Sequence, residues 1–131
     1  MSRLLCRWAG LALVLAGLAG FVNPTLLGMH LTPVHNVIHI LSGAIAIYVG
    51  FLGSGEAVKG FSLAFGAVYL LLGLLGFVTP GLVAKLIGHA DYASAAAMRP
   101  DNIVHLALGG LFLFAAVADV TARVNPRPHL P

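Results

Sequence analysis

The sequence predicts an all-α integral membrane protein whose four transmembrane helices form two tandem, parallel-related helical hairpins. Three observations lead to this prediction: the composition, the number of long apolar runs and an internal repeat. The chain has 131 residues, of which 60% are hydrophobic and 8% are charged, whereas soluble domains carry about 25% charged residues. Because a spanning helix needs about 20 mostly apolar residues, residues 1–131 accommodate four spans in a single membrane domain.

The apolar runs are separated by residues that favour turns. Asn23-Pro24 follows the first run and Thr79-Pro80 follows the third, and such pairs typically end helices. Each run is close to the length that crosses a bilayer. The expected spans lie at residues 4–22, 37–52, 60–78 and 103–120.

Basic residues predict how the four spans are oriented. Lys85 and Arg99 fall on one side of the arrangement, and the more positive side holds Arg3, Arg7, Lys59, Arg123 and Arg127. By the positive-inside rule, both termini and the middle hairpin face the cytoplasm. The arginines before the first span, with small residues at its end, also fit a cleaved secretory signal, but the repeat described next argues against that alternative.

The internal repeat has two parts. Residues 10–24 align with residues 66–80, and a second alignment lays the pattern N-x-x-H-x-x-x-G at residues 36–43 on residues 102–109. Each copy contains two spans, one at about 4–53 and the other at about 60–120, so both enter the membrane in the same direction. A pseudo-two-fold axis along the membrane normal follows. Identical pairs in the first part are Gly10/Gly66, Leu15/Leu71, Gly17/Gly73, Leu18/Leu74, Gly20/Gly76, Phe21/Phe77, Val22/Val78 and Pro24/Pro80.

The second copy is longer between its two spans, and the extra residues fall within 81–98. Leu82, Val83, Leu86, Ile87 and Ala90 recur there at helical spacing, which favours a short helix on the outer surface. A loop that packs over the bundle is the alternative interpretation, and the pattern leaves both open.

Small residues predict how the helices pack, because close backbone approach drives association in lipid. The same ridges fit packing within one chain or the seam of a homodimer. The expected ridges are Ala12, Ala16 and Gly20 on the first span, Gly43, Ala46, Gly50 and Gly53 on the second, Gly66, Gly73 and Gly76 on the third, and Gly109 with Gly110 on the fourth.

Polar residues near the outer ends of the second and fourth spans form the candidate site. His39 and His105 each follow an asparagine by one helical turn, on the same face, and the predicted axis places them at equal depth. Asp101 is expected to cap the N-terminus of the fourth helix, since it follows Pro100 and its carboxylate can accept from free backbone amides.

Three interpretations of these residues stay open. In the first, a structural polar clasp holds the helices through hydrogen bonds. In the second, His39 and His105 are the axial ligands of haem b. In the third, a divalent metal binds His35, His39, His105 and Asp101. The clasp would comprise Asn36, His39, Asn102, His105 and Asp101.

Several function classes are disfavoured. The net charge of +3 comes from scattered residues, without the basic cluster of a nucleic-acid-binding surface. Cys6 is the one cysteine, which excludes an internal disulfide. No nucleophile lies at motif spacing from a base, and no charged group lies at the expected midplane, where ion-coupled transporters place them. An enzyme and a transporter are therefore not expected.

The stretches PVHNVIHILSG (33–43), FGAVYLLLGLLGFVTP (65–80) and DNIVHLALGG (101–110) resemble the small bacterial membrane proteins grouped as domain of unknown function 4383. The likeness covers about 10–120, and the paired N-x-x-H elements are its most specific part. The resemblance implies a four-helix protein of a bacterial inner or plasma membrane and carries no activity.

The function expected from the sequence is therefore that of a non-enzymatic, structural or accessory membrane subunit without a cofactor. Its partners would be the lipid bilayer and a second copy of itself or a larger membrane complex. A haem- or metal-binding protein that uses His39 and His105 is the alternative.

Overall fold

The computed structural model describes residues 1–88, 94 and 96–124, with side chains described no further than residue 122. This part of the chain is helical and contains no strand, so the all-α prediction is confirmed there. Its elements are α1 (Ser2–Gly20), a 3₁₀ turn (Leu26–Gly28), α2 (Pro33–Leu52), α3 (Gly55–Val78), α4 (Pro80–Leu86) and α5 (Arg99–Val124).

The four long helices, α1, α2, α3 and α5, are long and apolar enough to cross a membrane. They coincide with the expected spans, but α2, α3 and α5 begin about one turn earlier than the apolar runs. For α2 and α3 the reason is a capping hydrogen bond, which hydropathy does not register. The Thr32 hydroxyl accepts from the His35 amide at 3.1 Å, and the Ser54 hydroxyl accepts from the Ala57 amide at 3.1 Å, so each caps a helix start.

The start of α5 corrects one expectation. Asp101 was predicted as the N-cap, but α5 begins at Arg99 and Asp101 lies inside its first turn. The predicted cap position is therefore wrong. The carboxylate still lies at the positive end of the helix dipole, where a negative charge is stabilised.

A short helix, α4, begins the segment between α3 and α5. Val83, Ala84 and Ile87 are buried and cluster with Met98 against Leu75 of α3. The helix ends at Leu86, before the last residue of the predicted pattern, because Gly88 adopts a positive φ of 77° and a residue in this conformation commonly ends a helix. Residues 89–93 and 95 of this segment lie outside the described residues.

Helix α1 packs antiparallel against α2 through direct backbone contact. A Cβ added at Gly10 would lie 2.8 Å from the Gly43 carbonyl oxygen, and one added at Gly17 would lie 2.6 Å from the Asn36 carbonyl oxygen. Real Cβ atoms do not tolerate such distances. Glycine at these positions therefore lets the two backbones touch, which is how small residues hold helices together in lipid.

Helix α3 packs against α5 in the same manner. A Cβ added at Gly66 would lie 3.0 Å from the Gly109 carbonyl oxygen, and one at Gly73 would lie 2.9 Å from the Asn102 carbonyl oxygen. The glycine ridge predicted on α3 is therefore the ridge that makes the contact. Gly110, the neighbour of Gly109, has nothing within 4 Å of its added Cβ.

The small-residue ridge on α1 differs from the prediction. Ala12 is exposed and Ala16 is half-buried, whereas the buried face carries Gly10, Leu13 and Gly17 together with Gly20, the one ridge residue that was predicted correctly. Small residues occur on two faces of this helix, and their spacing alone does not show which face meets α2.

The two helix pairs meet around a core that is largely aromatic. Phe65 and Tyr69 stack with ring centroids 4.1 Å apart, and Phe112 lies 4.7 Å from Phe65. The outer surface of the long helices carries many exposed apolar side chains, more than a water-soluble monomer exposes. Among them are Trp8, Ile45, Phe51, Leu71, Val117 and Phe114.

Two neighbouring glycines provide a matched test of the helix contact. We expect Gly109→Ala to lower the free energy of unfolding by about 1–3 kcal/mol, since the added methyl group overpacks the interface. Gly110→Ala should leave it unchanged or raise it by about 0.5–1 kcal/mol, because alanine is the better helix former. Thermal unfolding of both variants in detergent measures the difference, and equal midpoints would contradict the proposed contact.

Candidate functional site

Three buried imidazoles come together between α2 and α5. His35, His39 and His105 each offer a ligand atom, and these atoms all lie within 4.8 Å of one another. Their exposed fractions are 2%, 6% and 5%. The His35 ring centroid lies 4.3 Å from that of His39 and 6.0 Å from that of His105. The cluster is thus compact and shielded from bulk solvent.

The helix period and the glycine contacts place these side chains. His35 and His39 lie four residues apart on α2, and Asp101 and His105 have the same spacing on α5, so each pair shares one face of its helix. The contact of Gly17 with Asn36 and that of Gly73 with Asn102 set the depth of the two faces.

Hydrogen bonding orients the ring of His35. Its Nδ1 lies 3.0 Å from the His30 carbonyl oxygen, and because a carbonyl oxygen only accepts, Nδ1 carries the proton. In the neutral ring the Nε2 atom then holds the lone pair that a metal needs. A backbone carbonyl that accepts from the second nitrogen is the usual support of a ligating histidine.

Asp101 supports the same ring from α5. Its carboxylate accepts from the His30 backbone amide at 3.3 Å and lies 3.9 Å from His35 Nδ1. The side chain of Asp101 is 2% exposed. The structure therefore brings all four residues of the predicted metal site together, with the three imidazoles at the centre and the carboxylate outside them.

Two of the imidazoles contain a polar atom without a protein partner. The Nδ1 atoms of His39 and His105 are buried and have no hydrogen-bond partner among the described residues. Buried polar atoms are nearly always paired, so such an exception requires an explanation. An ion or ligand between the rings would supply one.

The two asparagines occupy similar places but make few hydrogen bonds. The Asn36 amide nitrogen donates to the Leu31 carbonyl oxygen at 3.3 Å, and in the described part of the chain the Asn102 amide has no hydrogen-bond partner. Each amide packs against a glycine of the neighbouring helix, Gly20 for Asn36 and Gly76 for Asn102. Packing, more than hydrogen bonding, holds the asparagines of the predicted clasp in place.

The site also contains residues that the sequence did not single out. The Tyr69 ring lies 5.2 Å from the His105 ring, and its hydroxyl lies 3.3 Å from that of Ser42. His30, in the loop before α2, is half-buried, and its carbonyl oxygen accepts from His35. One signal was present in the repeat: Tyr69 aligns with Leu13, so a polar group replaces an apolar one.

Comparisons with protein-family models, curated proteins and solved structures find no match to this chain. The resemblance to the family of domain of unknown function 4383 therefore stays a prediction.

Proposed function

We propose that this chain is a multi-pass membrane protein that binds one divalent transition-metal ion between its two helix pairs. His35, His39 and His105 are the proposed ligands. The observation that carries the proposal is the convergence of three buried imidazoles whose ligand atoms lie within 4.8 Å of one another. Imidazole suits zinc, copper, nickel and iron, whereas magnesium and calcium prefer oxygen ligands.

The distances require only small ring movements. Zn–N bonds of about 2.0–2.1 Å place two ligand nitrogens about 3.3 Å apart in a tetrahedral site. Asp101 contributes a negative charge beside His35, which reduces the cost of placing a divalent ion in a poorly solvated interior. Three protein ligands leave a fourth position open.

A compact ion fits this cluster better than the haem alternative does. A haem bound by His39 and His105 would place a wide, flat macrocycle between their rings. The ligand atom of His35 lies within 4.8 Å of those of both other histidines, so a third imidazole crowds the space beside the other two. The third imidazole therefore favours the single ion.

The proposal includes the tandem hairpins and their pseudo-two-fold axis. When two repeats are related by a two-fold axis, residues at equivalent positions contact each other only where they lie close to that axis. Cys6 and Ser62 are one such pair, with Sγ 3.7 Å from Oγ. His35 and Asp101 are another, with Nδ1 3.9 Å from Oδ1. Both contacts support two hairpins that enter the membrane in the same direction.

An accessory role in a larger assembly is the second candidate. Its support is the outer face of α5, where Gly110 has nothing within 4 Å of an added Cβ and Ala107 is exposed. Small residues on a lipid-facing surface allow another helix to approach closely. A second copy or a larger bacterial membrane complex would be the partner, and neither role requires catalysis.

Metal titration tests the main proposal. We expect the detergent-purified, chelator-treated chain to bind one Co²⁺ per molecule with a visible tetrahedral spectrum. Loss of a residue that supports a metal ligand weakens metal binding by about 10–100-fold. We expect Asp101→Asn to weaken Co²⁺ binding by this amount. His39→Gln and His105→Gln each remove a ligand and should weaken Co²⁺ binding more. Tyr48→Phe, an exposed site on α2, is the matched control.

Thermal unfolding without metal shows that each variant remains folded. If folded His39→Gln and His105→Gln bound Co²⁺ as the original chain does, the site would lie elsewhere. The absence of saturable binding in the original chain would rule out the metal proposal.

Labelling from outside the cell tests the proposed topology. In a Cys6→Ser background, Thr25→Cys should react with a membrane-impermeant maleimide in intact bacterial cells. Ser54→Cys and His129→Cys should react only after permeabilisation, because the positive-inside rule places them in the cytoplasm. Labelling of Ser54→Cys and His129→Cys from opposite sides would contradict the paired hairpins.

A further inference from the structure

Two crevices flank the histidine cluster. The larger, of about 370 Å³, lies between α2 and α3, and the smaller, of about 170 Å³, lies between α1 and α5. We call them the α2/α3 crevice and the α1/α5 crevice. His39, Tyr69 and His105 line both of them, so the cluster is reached from two sides of the bundle.

The two crevices are built from equivalent positions of the repeat. In the alignment that lays Gly10 on Gly66, the α1 residues that line one crevice correspond to the α3 residues that line the other. In the alignment that lays His39 on His105, the same holds for α2 and α5. Equivalent lining pairs are Ala9/Phe65, Ala12/Val68, Leu13/Tyr69, Ala16/Leu72, Ile38/Val104 and Ser42/Leu108.

One difference between the crevices is chemical. Ser42 lines only the α2/α3 crevice, where its hydroxyl lies 3.3 Å from that of Tyr69, and the residues equivalent to Ser42 and Tyr69 are leucines that line the α1/α5 crevice. Ser42 Oγ donates to the Ile38 carbonyl oxygen at 2.6 Å, so it accepts from the Tyr69 hydroxyl at 3.3 Å. That bond is long, and the phenolic group can exchange it for a bond to a ligand oxygen.

The polar side chains at the inner end of the α2/α3 crevice are buried. Tyr69, His39 and His105 are 5%, 6% and 5% exposed, and the imidazole Nδ1 atoms have no hydrogen-bond partner among the residues described. Polar side chains this deeply buried are costly unless something pairs with them. They therefore favour an occupant that carries oxygen.

The remainder of the crevice is apolar and opens outward. Phe65 stacks on Tyr69 along one wall, and Val68 and Leu86 at the rim are 54% and 57% exposed. The volume lies within the about 300–1,000 Å³ of small-molecule sites. If the long helices span a bilayer, this rim faces lipid, and the occupant enters from the hydrocarbon layer.

We propose that the α2/α3 crevice binds a lipid-soluble quinone. The ring would lie among Phe65, Val68 and Leu72, with one carbonyl oxygen at the Tyr69 hydroxyl and the imidazole cluster. A quinone combines a flat apolar ring, which matches the walls, with oxygen acceptors, which match the buried donors. The proposal concerns binding alone, and it depends on the crevice and its hydroxyl pair, not on the metal ion.

Calorimetric titration of the full chain in detergent with decylubiquinone tests this inference. We expect saturable binding, and Tyr69→Phe should weaken it about three- to tenfold through loss of one hydrogen bond. Val68→Trp should abolish binding by filling the crevice. Ala12→Leu, at the position equivalent to Val68 in the α1/α5 crevice, is the control and should bind as the original chain does.

Two control results would each overturn the quinone site. One is equal binding by folded Val68→Trp, which would indicate partitioning into detergent. The other is equal binding of decylbenzene, which lacks the ring oxygens and would show a site for alkyl chains only. The titration is repeated with chelator and with Zn²⁺. Quinone binding by a chain that takes up no metal would support the quinone site and reject the metal proposal. Metal uptake by a chain that binds no quinone would support the metal proposal and reject the quinone site.

Discussion

Direct backbone contact at glycine sets the geometry of each helix pair, and through it the positions of the clustered histidines. In lipid there is little hydrophobic force between helices, so packing distance and helix rotation depend on which residues allow close approach. Gly10 meets Gly43 in one pair, and Gly66 meets Gly109 in the other. Because each contact fixes both depth and rotation, the histidine one turn before Gly43 and the one before Gly109 reach the same level in the bundle.

If the hairpin is duplicated, its two copies meet through residues at equivalent positions, but these residues are not all identical. The repeat supplies an Asn and a His from each copy, but the residue before each asparagine differs: His35 in one copy and Asp101 in the other. Their meeting converts a pair of imidazoles into a cluster of three with a carboxylate beside it. The same divergence appears at Tyr69 and Ser42, whose counterparts are leucines. The polar residues that break the symmetry therefore adjoin the His39/His105 pair, which both repeats share.

The sequence was sufficient for the parts of the fold that depend on regular spacing. Long apolar runs predicted the four long helices, and the repeated N-x-x-H pattern predicted that His39 and His105 would share a depth. Helix starts were predicted less well, since Thr32 and Ser54 act through single hydrogen bonds that hydropathy ignores. The buried face of α1 was also missed, because small residues occur on two of its faces. The role of His30 depends on a loop carbonyl, and no sequence pattern specifies where a carbonyl points.

We propose that three imidazoles converge on one ion between the helix pairs. X-ray absorption spectroscopy of the Zn²⁺-loaded chain measures this directly, because imidazole rings produce characteristic multiple scattering around the metal. We expect three histidine ligands, corresponding to the three clustered residues, and two in His105→Gln. A spectrum with one imidazole or none, or one that His105→Gln leaves unchanged, would contradict it.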